Sequence, residues 1–341
     1  MYRDGRCRRH PAVASIALDS PEARPAYCAV MPDTLDSAAP IAHHRFVVSA
    51  ADGVAHTASE WSSAGESPQA PVFVLLPALG VPGGYYEPFA RMLAQWRPAV
   101  VVLTDLRGQG TSTAPPRQAD FGYREMLELD FPALFATIEA RHGSRPLIVA
   151  GHSLGGQLAA VYAGCLPAGV AGLALLAAGS THIAAWTGLR RIAVSGYTSL
   201  VRGLGAALPW YPGKLVGFGG DHPKRLIRDW GHVVKTGRYE PEGSTVDYEA
   251  ACRRATMPVL SMGVQGDPMV PPAARKALTD RMPLAPLRSV EVPRPAGVSA
   301  WRSHFAWARK PDHVVAAVHD WMATLGDLRA AGEERVAAAR S

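Results

Sequence analysis

The chain has 341 residues, of which 48% are hydrophobic and 19% are charged, and its formal net charge is +6 at pH 7. This size and apolar content suit one large α/β domain with an insertion, or two ordinary domains. Part of the basic excess comes from four arginines at the extreme N-terminus: Arg3, Arg6, Arg8 and Arg9. Because no stripe of Lys and Arg follows a helix or strand elsewhere, we expect no nucleic-acid partner.

The cysteine spacing and the lengths of the apolar runs indicate the cellular compartment in which the protein is expected. The four cysteines are far apart and form no CxxC pair, which favours reduced thiols over a disulfide framework or a zinc site: Cys7, Cys28, Cys165 and Cys252. The apolar run 12–18 is very short for an export signal, and no clear cleavage site follows it. No other apolar run is long enough to cross a bilayer. We therefore expect a cytoplasmic protein without stable membrane insertion, and the oligomeric state stays open.

The first 40 residues differ in composition from the rest of the chain. They are rich in Arg, Pro, Ala and Asp, and they show neither the period of a helix nor that of a strand. Such a segment cannot bury enough apolar surface to offset the entropy of ordering it. We expect a disordered extension over 1–40, within which Met31 is an alternative start.

Secondary-structure signals begin at His44. Two strands are predicted at 44–50 and 54–61, joined by the hairpin dipeptide Asp52-Gly53. Short apolar runs, typical of strands buried on both faces of a parallel sheet, follow at 72–76, 99–103, 147–150 and 170–176. Two further strands are predicted at 258–263 and 288–292. Helical patterns lie between or after them at 85–96, 123–142, 154–165, 273–281 and 311–325. This alternation predicts an α/β fold with a mostly parallel, doubly wound sheet.

The alternation stops between residues 180 and 250. The segment contains no buried-strand run, and we predict a helical cap inserted after the sixth strand of a core made of 41–179 and 251–326, with a helical tail at 327–341. Its aromatic side chains could line an apolar acyl or alcohol pocket, or they could form the insertion's own core. They are Trp186, Tyr197, Trp210, Tyr211, Phe218, Trp230 and Tyr239.

One short motif carries the strongest chemical signal. Gly151-His152-Ser153-Leu154-Gly155-Gly156 follows a predicted strand and precedes a predicted helix. In that setting, G-x-S-x-G is typical of a sharp turn that presents the serine hydroxyl at the carboxyl edge of the sheet. The alternative is an ordinary glycine-rich turn. We interpret Ser153 as a candidate nucleophile.

A serine nucleophile needs a base, and the base needs an orienting acid. Asp267 follows the strand that ends near residue 263, and His304 follows the strand that ends near residue 292, so both come after the serine in the order expected. We predict that Ser153, Asp267 and His304 form a catalytic triad, with His304 on a loop. Weaker candidates are His152 beside the serine, His313 and His319 in the last helix, Asp280 in a helix, and Asp105 before the serine.

The oxyanion of an acyl-transfer reaction needs two backbone N–H donors. Leu154, directly after the serine, is the first candidate. Leu79, in the loop after strand 72–76, is the second; Ala78 is possible, whereas Pro77 has no N–H. The alternative is that this loop is an ordinary turn.

The glycine-containing loop 105–112 lacks the lysine and the spacing of a phosphate-binding loop. We therefore interpret it as structural. Asp105 and Arg107 are expected to tie backbone groups beside the active site.

Together these motifs resemble the α/β-hydrolase superfamily over residues 44–325. More narrowly, the segments 77–82 (PALGVP) and 85–90 (YYEPFA) look like those of bacterial α/β hydrolases related to the serine aminopeptidase S33 and monoglyceride lipase-like group. The loop 105–112 and the segment 151–157 are similar to that group as well, as are Tyr211-Pro212-Gly213, Gly217 and Trp230. The resemblance implies a Ser-Asp-His triad and no cofactor, and it implies no particular substrate. Ser303 departs from the pattern, since a Gly is expected before the catalytic His.

The predicted triad indicates a serine hydrolase that acts on a small-molecule ester, with a short or medium acyl chain. Three alternatives stay open: an acyltransferase, a peptidase, and a non-catalytic binding protein on the same fold. A peptidase would need a carboxylate for the substrate amine, for which the insertion offers Asp221, Glu240 and Glu242. Ser153 argues against dehalogenases and epoxide hydrolases, whose nucleophile is an Asp.

Overall fold

The computed structural model describes residues 40–63, 67, 69–96, 99–167, 169–216 and 219–327, and every structural statement below refers to these residues. The predicted disordered extension lies outside them except for Pro40, and so do Met31, Cys7, Cys28 and the N-terminal arginines. Gly217, Phe218 and nearly all of the predicted C-terminal tail are outside as well. Cys165 and Cys252, the two described cysteines, are free thiols.

Ten strands are described, eight of which form one sheet. They are β1 (Ile41–Ser49), β2 (Ala55–Ser63), β3 (Val72–Leu76), β4 (Val100–Leu103), β5 (Leu147–His152), β6 (Val170–Leu176), β7 (Trp210–Pro212), β8 (Asp221–Pro223), β9 (Val259–Val264) and β10 (Leu287–Val292). The large sheet has the order β1-β2-β4-β3-β5-β6-β9-β10. Its last six strands are parallel, and β2 pairs antiparallel with β1 and with β4. The predicted mostly parallel sheet is confirmed.

Eleven α-helices are described. They are α1 (Glu87–Trp96), α2 (Tyr123–Glu125), α3 (Phe131–His142), α4 (Leu154–Tyr162), α5 (Gly188–Ala207), α6 (Gly213–Val216), α7 (Lys224–Thr236), α8 (Tyr248–Arg253), α9 (Pro272–Thr279), α10 (Ala300–Ala306) and α11 (Asp312–Ala323). A π-helical turn, Met126–Asp130, joins α2 to α3 inside the predicted helix 123–142. None of these helices is long and apolar enough to span a membrane.

The strand β3 shows why the apolar runs are continuous. All five of its side chains are buried. Val72, Val74 and Leu76 belong to the core on one face of the sheet, and Phe73 and Leu75 belong to the core on the other. Because successive side chains of a strand point to opposite faces, a strand covered on both sides has no position for a polar residue. The sheet is therefore doubly wound, as predicted.

The predicted hairpin joins β1 and β2. The two strands pair in register from Ile41 opposite Ser63 to Ser49 opposite Ala55. Gly53 has φ +82°, a left-handed conformation that favours glycine. The Asp52 carboxylate accepts a hydrogen bond of 3.3 Å from the N–H of Val54 and so supports the turn.

The insertion differs from the prediction in one respect. It contains a two-stranded antiparallel sheet, β7 with β8, in addition to helices. Each strand is three residues long, too short for a period of two to stand out in the sequence. The longest helix, α5, packs on α7, and Gly205 lies so close to Ile227 that a Cβ would come within 2.8 Å of its side chain.

The aromatic residues of the insertion mainly fill its interior. Tyr211, Trp230 and Tyr239 are buried, and they belong to the same apolar cluster as one face of the large sheet. Trp186 is buried as well, whereas Trp210 is half-buried. Of the two interpretations, the structure therefore favours the one in which these rings form the insertion's own core.

Candidate active site

The turn between β5 and α4 holds Ser153 in a strained conformation. Its φ is 50° and its ψ −115°, and within the described ranges only Ala177 is another non-glycine residue with positive φ. A non-glycine residue in such a region costs of order 1–3 kcal/mol and persists only where the surroundings impose it. The N–H of Ser153 donates to the Leu176 carbonyl, at 3.3 Å, across the neighbouring strand. This is the geometry expected of a nucleophile elbow.

The glycines of the motif are required by close backbone contacts. A Cβ on Gly155 would lie 2.4 Å from the carbonyl oxygen of Leu76, at the end of β3. A Cβ on Gly151 would lie 2.4 Å from the backbone N of Gly156, across the turn. The first turn of α4 can therefore approach the sheet edge, where its N-terminal dipole adds positive potential.

His304 and Asp267 form a buried hydrogen-bonded pair. Nδ1 of His304 lies 2.7 Å from Oδ2 of Asp267, and the two side chains are only 0% and 1% exposed. The other carboxylate oxygen accepts a 2.8 Å hydrogen bond from the N–H of Met269. Because an ionised carboxylate can only accept, Nδ1 of His304 carries the proton and Nε2 is left as an acceptor. Nε2 is buried, and no described residue bonds it.

His304 lies on the short helix α10, and not on a loop as predicted from the sequence. The Ser303 hydroxyl, at the position where a Gly was expected, donates to the Ala300 carbonyl at 2.6 Å within this helix. Seven residues give too little apolar periodicity to be recognised as a helix from sequence.

The loop after β3 has two candidate oxyanion donors, and the structure distinguishes them. The N–H of Ala78 donates to the Tyr86 hydroxyl at 3.0 Å, so it already has an acceptor. The N–H groups of Leu79 and Leu154 have no acceptor among the described residues. Leu79 and Leu154 are therefore the donors we retain.

Tyr86 and His152 connect this loop to the elbow, a role that was not predicted from the sequence. The Tyr86 hydroxyl lies 2.7 Å from Nδ1 of His152, whose ring is 4.8 Å from the ring of His304. Burial first, and then the neighbouring His304, lowers the pKa of His152 well below its ordinary value, so the ring is neutral at pH 7. In the neutral tautomer that carries its proton on Nε2, Nδ1 of His152 accepts a hydrogen bond from the Tyr86 hydroxyl. No sequence signal identifies Tyr86, because a buried Tyr in a helical pattern also fits simple packing.

Tyr86→Phe is expected to lower kcat roughly tenfold while KM changes little, because the Ala78 N–H loses its acceptor and the adjacent Leu79 donor loses its position. Steady-state kinetics on an activated ester measure both constants. Tyr123→Phe is the matched control: its buried hydroxyl has no hydrogen-bond partner within the described structure. Equal kinetics for the two variants would remove Tyr86 from this role.

The loop 105–112 is structural, although one of its predicted contacts is wrong. The Asp105 carboxylate accepts from the N–H of Gly83 and from the N–H of Thr111, both at 2.7 Å, as expected for a tie between backbone segments. Among the described residues, Arg107 binds no backbone group. Its guanidinium pairs with Asp52 and Asp130, each at 2.6 Å, and joins the hairpin to the helical layer.

The other candidate side chains have separate roles. His313 and His319 lie on α11, and Asp280 pairs with Lys276 at the end of α9. The three insertion carboxylates are already paired with arginines: Asp221 with Arg117, Glu240 with Arg238, and Glu242 with Arg228. In the described part of the chain, no cluster of three His, Cys, Asp or Glu side chains could hold a metal ion.

The insertion reaches the predicted site at two places. Gly80 lies against Gly219, where a Cβ on Gly80 would overlap the Gly219 carbonyl oxygen at 2.0 Å. On the other side, Arg190 at the start of α5 lines a small cavity together with Gly266 and Asp267. The insertion therefore adjoins both the loop after β3, which carries the candidate oxyanion donor Leu79, and the loop after β9, which carries Asp267.

Comparisons with known proteins agree with this architecture. A family model of the alpha/beta hydrolase fold matches residues 71–206. No curated protein matches the sequence. The structure of a membrane phospholipase A, a bacterial virulence factor, is 20% identical over 84% of this chain and 86% of that chain, with a TM-score of 0.54.

Two further solved structures have the same fold. Est1E from Butyrivibrio proteoclasticus, solved with ferulic acid bound, is 14% identical over 82% of this chain and 98% of that chain, with a TM-score of 0.57. A proline iminopeptidase from Mycobacterium smegmatis is 20% identical over 84% and 99%, with a TM-score of 0.52. At these identities the likeness concerns the fold, and it does not select among the three activities.

Proposed function

We propose that this chain, which belongs to the α/β-hydrolase superfamily, is a serine hydrolase that cleaves carboxylic esters with short or medium acyl chains. The observation that carries the proposal is the buried pair of Asp267 and His304, in which no described residue bonds Nε2 of the histidine. The strained turn at Ser153 supplies the matching nucleophile. The narrower kinship to the serine aminopeptidase S33 and monoglyceride lipase-like group stays a prediction.

The first half-reaction forms an acyl-enzyme. The Ser153 hydroxyl oxygen attacks the ester carbonyl carbon as its proton passes to Nε2 of His304. The Asp267 carboxylate holds the Nδ1 proton and stabilises the imidazolium, while the N–H groups of Leu79 and Leu154 bind the oxyanion. The tetrahedral intermediate collapses, and the alcohol leaves with the proton from Nε2.

The second half-reaction releases the acid. A water molecule attacks the acyl carbon and gives its proton to Nε2 of His304, and the collapse of the second intermediate returns that proton to Ser153. The cycle uses only side chains and backbone N–H groups of the chain, so the proposal includes no cofactor.

The alternatives use the same residues and have less support. An acyltransferase differs only in the acceptor that replaces water. A peptidase of the aminopeptidase type needs a carboxylate for the substrate amine, and the three candidates in the insertion already have cationic partners. A binding protein has no use for the strain at Ser153, which costs of order 1–3 kcal/mol.

A fluorophosphonate probe tests the proposal directly. We expect covalent labelling of Ser153, located by peptide mass spectrometry, and loss of labelling in His304→Ala. The unlabelled protein should hydrolyse a series of nitrophenyl esters, with acid release compared in the presence and absence of added alcohols, and labelling should stop this hydrolysis. A folded protein that is not labelled, or that is labelled elsewhere, contradicts the proposal. Transfer to the alcohol in preference to water identifies an acyltransferase.

A further inference from the structure

Exposed apolar side chains are concentrated in one part of the insertion. The described structure exposes ten large hydrophobic residues, and six of them lie between residues 189 and 215. These six are Leu189, Ile192, Tyr197, Leu200, Leu208 and Leu215. Single exposed apolar residues are ordinary, whereas a cluster of this kind marks an interaction surface.

The helix α5 has two faces, and the exposed one is the more apolar. Its buried face is formed by Thr198, Val201 and Gly205, which repeat at helical spacing. On the opposite side Leu189 is 84% exposed, Ile192 69% and Leu200 56%. The small residues Ala193, Gly196, Gly203 and Ala207 continue this stripe along the helix, and all are exposed. We call the stripe the outer face of α5.

The charges around the outer face have one sign. Residues 180–220 contain no Asp or Glu, while they contain Arg190, Arg191, Arg202 and Lys214. The three arginines are exposed, and no described carboxylate forms an ion pair with them. An apolar stripe flanked by unpaired cations is the pattern of a helix that lies in a membrane interface.

The helix α10 shows similar surface chemistry. Trp301 on α10 is 68% exposed, and Trp is a side chain favoured at membrane–water interfaces. Residues 292–311 contain no Asp or Glu, and they expose Arg294, Arg302, Arg309 and Lys310. Both helices adjoin the Asp267 loop, α5 through Arg190 and α10 through His304.

We infer that the outer face of α5, together with the exposed Trp301 of α10, docks on an anionic lipid surface. Exposed apolar side chains would enter the boundary between headgroups and acyl chains, while the arginines would contact lipid phosphates. The helix would lie on the membrane without crossing it, in agreement with the absence of a spanning helix among those described. The inference concerns binding and does not depend on the proposed hydrolysis.

The positive charges around the outer face of α5 argue against a second copy of this chain as its binding partner. In a two-fold symmetric contact the same patch meets itself, so the cations at positions 190, 191 and 202 of one copy would face those of the other. Like charges placed together in this way oppose association. Each of these cations would instead strengthen binding to an anionic lipid surface.

The test is vesicle co-sedimentation of the full chain. We expect binding to vesicles of phosphatidylcholine with phosphatidylglycerol, weaker binding to phosphatidylcholine alone, and a decrease at high salt. Leu189→Ser combined with Leu200→Ser should weaken binding to the anionic vesicles about tenfold or more, since two apolar side chains no longer enter the lipid. Arg191→Glu should weaken it about fivefold or more.

Val47→Ser is the matched control, because Val47 is 61% exposed and lies on the edge strand β1, which four strands separate from β6, after which the insertion begins. It should bind the vesicles as the unaltered chain does. All the substituted side chains are exposed, so thermal unfolding should change little and a folding defect is recognisable. The inference is overturned by the absence of anionic-vesicle binding, or by equal binding in the double variant. Sedimentation that shows a dimer, dissociated by the double variant, would assign the face to a second copy and overturn it too.

Discussion

Ser153→Gly should abolish hydrolysis and at the same time stabilise the fold. We expect kcat/KM for an activated ester to fall on the order of 10⁵-fold, since the variant has no nucleophile for acyl-enzyme formation. The φ of 50° at this position strains any side chain, and glycine releases that strain. Part of the gain is offset by the greater freedom of glycine in the unfolded chain. A net gain of about 1 kcal/mol in the free energy of unfolding results.

Ser153→Ala separates the two effects. Alanine also lacks the hydroxyl, so the activity should be lost equally, but its Cβ keeps the strain. Chemical denaturation of both variants measures the difference, which should favour glycine by about 1 kcal/mol. Hydrolysis within tenfold of the unaltered chain would show that Ser153 is not the nucleophile. Equal stability of the two variants would show that the turn is not strained.

Asp267→Asn should lower kcat about 10⁴-fold near neutral pH without preventing folding. The reason is specific to the contacts of this carboxylate. One oxygen accepts from the N–H of Met269, so the asparagine must place its amide oxygen there. Its NH₂ group then faces Nδ1 of His304 and donates to it, which moves the imidazole proton to Nε2. A protonated Nε2 cannot accept the proton of Ser153.

The measurement is kcat as a function of pH, with thermal unfolding as the check on folding. Asp280→Asn is the matched control, because Asp280 pairs with Lys276 on the surface of α9 and should change kcat by less than about twofold. If Asp267→Asn keeps more than a tenth of the activity, another group orients His304.

The two helices that carry the proposed lipid-docking residues also adjoin residues of the candidate triad. The loop that carries Asp267 lies beside the first turn of α5, and His304 lies on the same helix as Trp301. If the outer face of α5 docks on lipid, the candidate triad stands near that lipid as well. Substrates dissolved in a membrane would then reach the site more readily than their concentration in water suggests.

The sequence by itself determined the sheet and the order of the candidate site residues. Strands such as β3 are buried on both faces, so every position must be apolar, and this leaves a continuous run that is visible without tertiary information. The motif at Ser153 is also visible without tertiary information, because the glycines that the turn requires lie within three residues of the serine. The order of Ser153, Asp267 and His304 follows from the alternation of strands and helices.

Only the tertiary structure decided the features that depend on contacts between distant segments. The roles of Tyr86 and His152 arise because their polar atoms meet across 66 residues of sequence, and each residue alone is compatible with plain packing. The prediction for Arg107 was wrong because a long side chain can reach acceptors on several elements, and only the fold brings Asp52 and Asp130 to it. The helix α10 and the strands β7 and β8 are too short for their periods to be detected. The outer face of α5 needed the structure as well, since periodicity shows that a helix has an apolar stripe, whereas packing decides which stripe is covered.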